Sequence, residues 1–116
     1  MIALDPRAAA RAAVSTNPAR PATAIVHDSP DARLVVFRLA PGQAVAPHRS
    51  ASTVLLEVLD GAGTLSGEAD GGAADERACR AGDAVLYAPN ELHGMRAGDG
   101  AELLLLATIT PRPGTR

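Results

Sequence analysis

The chain has 116 residues, 47% of them hydrophobic, and a net charge of −2 from 13 acidic and 11 basic side chains. That is one domain's worth of chain, apolar enough to build a single core and too apolar to be disordered by composition. Every basic residue is Arg, scattered from Arg7 to Arg116 without a stripe, and aromatics are reduced to Phe37 and Tyr87, so nucleic acid is excluded as a partner, and no apolar run is long enough to span a membrane.

Residues 1–21 are rich in Ala, Arg and Pro and read as an N-terminal arm. Asp5 followed by Pro6 suits a short helix, with Asp as N-cap and Pro in the first turn, while Pro18 and Pro21 end any helix before the next segment. Arg11 interrupts the run Ala8–Val14, so a secretory h-region is not expected there. Strand patterns then follow at close intervals: Ala22–His27, Arg33–Leu39, Ala44–His48 and Val54–Leu59. Turns are expected at residues 28–31, at Pro41-Gly42 and, as a hairpin, at Asp60-Gly61. Gly63–Ser66 continues as strand, residues 68–74 form a Gly-rich loop, and Glu76–Arg80, Asp83–Tyr87, His93–Ala97 and Ala101–Thr110 complete the set. Residues 111–116 form a tail. Short strands punctuated by Gly, Pro and Asn predict an all-β barrel or sandwich over residues 22–110, and the connections leave no room for crossover helices.

Cys79 is the only cysteine. It has no internal disulfide partner, which suits a reducing compartment and a cytoplasmic location. Within a strand it reads as a small buried hydrophobe rather than a nucleophile. The last strand holds Leu103 and Leu105 on one face and Leu104 and Leu106 on the other, so both faces need cover. The N-terminal arm or a second subunit would supply it. Leu55 and Leu59, on the outer face of their strand by alternation, add to that apolar surface.

Two segments resemble the cupins. Gly42, His48 after five intervening residues, and the closing Gly61 match the first cupin motif. Gly82 and His93 match the second, with Pro89 one place late, Asn90 where the pattern has Gly, and Ala97 where it has Asn. Asn tolerates the left-handed backbone that Gly usually supplies. The resemblance spans residues 33–110 and is closest to the small single-domain members. It implies an antiparallel jelly-roll β-barrel with a short N-terminal arm or helix, a homodimer formed by packing sheets, and a pocket at the barrel mouth.

Metal-holding cupins use two His and a Glu from the first motif and a His from the second. This sequence has His48, Ser50, Val54 and His93 at those positions. Two of four expected ligands are absent, including the carboxylate, whereas a catalytic Fe, Mn, Ni or Zn centre usually takes three protein ligands. Glu57 is the candidate replacement. Alternation sets it on the face opposite Val54, and only a bulge would bring it inward.

The ligand-binding candidates are therefore His48, Ser50, Tyr87, His93 and Met95, and the metal candidates are His48, His93 and Glu57. Each has a plainer reading: the two His as hydrogen-bonded remnants, Ser50 as a loop brace, Tyr87 and Met95 as packing. Three functional classes stand. One is a module binding a small molecule, with a loosely held divalent metal as an option. The second is a metal-dependent dioxygenase or isomerase, or a metal-free enzyme using the His pair as acid and base. The third is a barrel with a vestigial site.

Overall fold

The computed structural model describes residues 1–69 and 72–114. The middle of the expected 68–74 loop and the end of the expected tail, residues 115–116, lie outside them. One short helix precedes eight strands: α1 (Pro6–Ala12), β1 (Ala22–Asp28), β2 (Arg33–Leu39), β3 (Ala44–His48), β4 (Thr53–Glu68), β5 (Ala74–Arg80), β6 (Ala84–Tyr87), β7 (His93–Ala97) and β8 (Leu103–Thr110). All pairings are antiparallel, and the sheet curls into the jelly-roll barrel expected from the strand pattern.

The main departure from expectation is at Asp60-Gly61. No hairpin forms there. β4 runs straight through as a single strand of 16 residues. Its first half pairs with β8 and β6, and its second half with β7 and β5. The β4–β8 register slips between Val58 and Asp60, and Gly61 takes a φ of 84° with no room for a side chain: a Cβ would lie 1.8 Å from the Glu102 carbonyl oxygen. The dipeptide that suggested a turn instead makes a bulge, which bends one strand from one side of the barrel to the other.

Alternation along β4 and β8 builds two separate apolar clusters. Val54, Leu56 and Val58 join Leu103, Leu105 and Ala107 inside the barrel, with Leu39, Leu65, Met95 and Ala97. On the outer face Leu104 and Leu106 pack with Val36, Leu59, Ala9 and Ala10. The cover for this face is therefore α1. Asp5 caps the helix by accepting from the Ala8 N–H at 3.1 Å, and Pro6 occupies its first turn, as the sequence suggested. Small alanines let the helix lie close on the leucines. Arg7 donates to the Leu59 carbonyl at 3.0 Å, and Arg38 reaches from β2 to the Arg11 carbonyl at 2.7 Å, satisfying an acceptor at the helix end.

Candidate functional site

His48 ends β3 and His93 begins β7, and the two residues face each other directly in the β3–β7 pairing. Their ring centroids are 4.2 Å apart with planes tilted by 60°. The close approach of the two strands depends on Gly94: a Cβ there would press within 3.0 Å of the Val45 carbonyl oxygen and the Pro47 nitrogen. His48 is exposed at the rim, whereas His93 is 8% exposed.

Behind the pair lies a cavity of about 250 Å³, lined by Phe37, Ser50, Val54, Leu56, Met95, Ala107 and Ile109, with Pro113 at its edge. The structure thus brings His48, Ser50, His93 and Met95 of the sequence-predicted set together around one space. Tyr87 lies elsewhere. Its hydroxyl donates to the Ser66 carbonyl at 2.8 Å and its ring packs 5.1 Å from that of His93, on the side of a separate surface groove with Glu68 and Arg77. Burial pushes the Tyr87 phenol up to about 12, so it is a neutral packing group bonded to backbone. Glu57 points away from the cavity. It alternates with Val54, Leu56 and Val58, which fill the barrel, and the β4 bulge lies beyond it, between Val58 and Asp60, where it cannot turn Glu57 inward.

Each imidazole is oriented by its own backbone. His48 Nδ1–H donates to the Ala46 carbonyl at 3.0 Å and His93 Nδ1–H to the Glu91 carbonyl at 3.2 Å. Burial holds the His93 pKa below the ordinary imidazole value. The bond to the Glu91 carbonyl opposes this, and the neighbouring His48 adds to the lowering. The segment leading into β7 is braced from outside. Glu68 accepts from the Leu92 N–H at 2.7 Å and is paired with Arg49, which also donates to the Asn90 carbonyl at 2.7 Å. The Leu92 N–H and Arg49 keep the Glu68 carboxyl below its usual range. Asn90 itself has a φ of 66°, the left-handed conformation anticipated where the motif has Gly.

Several site features escaped the sequence reading. Phe37 and Ile109 were legible as strand residues, and alternation with Leu39 and Leu105 would have placed them inside. Pro113 had no signal, because it belongs to a segment that folds back over the mouth. Ser52 holds that segment, donating to the Pro111 carbonyl at 2.7 Å. Arg49 and Glu68 are 19 residues apart and meet only through the fold. Cys79 is buried, and burial pushes its thiol up, which makes it a core residue.

The donor set falls short of a catalytic metal centre. Among the described residues no three His, Cys, Asp or Glu come together as a metal-holding group. Two imidazoles without a carboxylate fall short of the three protein ligands usual at catalytic centres.

No family model matches the chain, and no curated protein matches it either. Solved structures do. A protein from Thermus thermophilus is 24% identical, with 97% of this chain and 100% of that one covered at a TM-score of 0.81. An RmlC-like cupin from Desulfovibrio desulfuricans is 27% identical, with 86% and 91% covered at a TM-score of 0.69. The oxalate decarboxylase of Bacillus subtilis, described with Mn(II) centres, is 17% identical. It matches over 78% of this chain and 25% of its own length, at a TM-score of 0.65.

Proposed function

We propose that this chain, a small cupin-domain barrel, is a binding module that takes a small, largely apolar molecule into the barrel pocket beside His48 and His93. The observation that carries this reading is the apolar cavity of about 250 Å³ with two imidazoles and one hydroxyl at its mouth. A concave apolar space with few convergent polar groups is the usual form of a small-molecule site. A catalytic metal lacks its third ligand, so the binding reading ranks above the metalloenzyme one.

The test is saturable binding in a small-molecule collection, read by ligand-observed NMR on wild type and on Ala107→Leu. Ala107 lines the cavity, so the added methyl groups take up space a ligand needs while both His are kept. Saturable binders that lose at least about tenfold in the variant support the reading. Binding that ignores the substitution places the ligand elsewhere and overturns it.

A divalent ion remains the second reading, because imidazole nitrogens are good ligands for Zn and Ni. Two such donors hold an ion only loosely. Elemental analysis of untagged protein beside His48→Ala decides it: near one ion per chain, lost in the variant, favours the metal, and none after soaking with Fe, Mn, Ni and Zn removes it.

Pairing of two copies is also part of the reading. Its support is the outer-face pair Leu55 and Leu86 on adjacent strands, with Leu86 66% exposed. A monomeric mass by light scattering at micromolar concentration removes it. A reducing, cytoplasmic setting rests on the single buried cysteine.

A further inference from the structure

The chemistry of the pocket mouth narrows what it would accept. A carbonyl oxygen can only accept a hydrogen bond, so the contacts to the Ala46 and Glu91 carbonyls require a proton on Nδ1 of both His48 and His93. In a neutral imidazole that leaves Nε2 as a lone pair. Neither Nε2 has a hydrogen-bond partner among the described residues. With the rings 4.2 Å apart and His93 buried, protonating both is opposed by mutual repulsion and by desolvation. The mouth therefore presents two acceptors side by side.

The other polar group is complementary. Ser50 Oγ accepts from the Ser52 N–H at 3.2 Å, which leaves its own O–H to donate. Among the described residues no ionised side chain lines the cavity. The nearby charges are occupied outside it: Arg49 with Glu68 and the Asn90 carbonyl, and Glu91 with the Ala88 N–H. A carboxylate ligand would set its lone pairs against those of the imidazoles with no counter-charge. A pure hydrocarbon would leave the lone pairs desolvated and unpaired, which costs binding energy.

We propose that the barrel pocket selects a neutral apolar molecule carrying a hydroxyl, an alcohol or phenol, whose O–H donates to the Nε2 lone pair of either His48 or His93 and whose oxygen accepts from Ser50. The proposal rests on the small-molecule reading of the pocket and adds the chemical class of the ligand. The cavity has room for one substituted ring or a branched chain of similar bulk, since a void of about 150 Å³ already admits benzene.

The test uses two matched sets, phenol, toluene and benzoate, and cyclohexanol, methylcyclohexane and cyclohexanecarboxylate. Each is titrated at pH 7.5 with EDTA present so that no adventitious ion supplies the contact. The expected result is that in at least one set the hydroxyl compound binds about tenfold tighter than the hydrocarbon, with the carboxylate weakest. In a His48→Ala/His93→Ala double variant, checked for native-like circular dichroism, that preference shrinks to about twofold or less. Hydrocarbon binding equal to the hydroxyl compound, or tighter carboxylate binding, overturns the hydroxyl preference and leaves the pocket reading standing. A preference unchanged in the double variant overturns the assigned acceptors. Failure of all six to bind up to millimolar concentration overturns both readings together.

Discussion

On its outer face the β4–β8 pair presents Leu59, Leu104 and Leu106 to helix α1, and Ala9 and Ala10 close the space above them. On its inner face the same strands present Val54, Leu56, Ala107 and Ile109 to a cavity. Both faces are apolar and both are shielded from solvent, yet one is filled and the other is left partly empty. The difference lies in the covering element. A short alanine-rich helix packs directly on the leucines, whereas inside the barrel a cavity remains beside the His48–His93 pair. Filling yields stability and leaves no room for a ligand. The inner void is a surface whose apolar contacts remain to be made, which is the physical basis for reading it as a site.

Substitutions on the two faces should separate these roles. Leu104 is fully buried beneath the helix, so Leu104→Ala is expected to destabilise by about 3–4 kcal/mol in urea unfolding. Ala10 is also fully buried, and Ala10→Leu would overpack the same seam, costing about 1–3 kcal/mol. Ile109→Ala removes atoms that already border empty space, so about 2 kcal/mol, the low end for such a truncation, is expected. If Ile109→Ala costs as much as Leu104→Ala, the inner face is as tightly packed as the outer one and the contrast fails. Asp5→Ala removes the helix cap and should cost about 0.5–1 kcal/mol, with no effect on binding in the pocket.

The smallest expected effect is that of pH. Burial lowers the His93 pKa in the folded chain, so the unfolded chain binds the proton more readily. That contribution to stability is complete above the ordinary imidazole value and is lost as pH falls through the lower folded value. Urea midpoints should therefore drop between pH 7.5 and 5, and His93→Gln should flatten that part of the profile. A midpoint that rises on acidification would place a stabilising anion near His93 and contradict the acceptor character assigned to the mouth.

Much of this arrangement was legible because it depends on short-range rules. Pro and Gly punctuation marked most strands, the Asp5–Pro6 start marked the helix, and the spacing of Gly42, His48, Gly82 and His93 brought both imidazoles to one mouth. Alternation correctly set Glu57 facing away from the barrel interior. The same rules misread Asp60-Gly61, because a turn and a bulge draw on the same permissive backbone and only the neighbouring strand distinguishes them.

By itself, then, the sequence determined the all-β class, the order of the strands and the inward or outward direction of most side chains, since each depends on neighbours two to four residues away. Only the tertiary structure decided that α1 covers Leu104 and Leu106, that Tyr87 bonds to the Ser66 carbonyl instead of entering the pocket, and that Arg49 and Glu68 brace the entry to β7. It also decided that both Nδ1 atoms are spent on backbone carbonyls. Those outcomes depend on which distant surfaces meet and on how closely they fit, and that competition is resolved by packing across the whole chain.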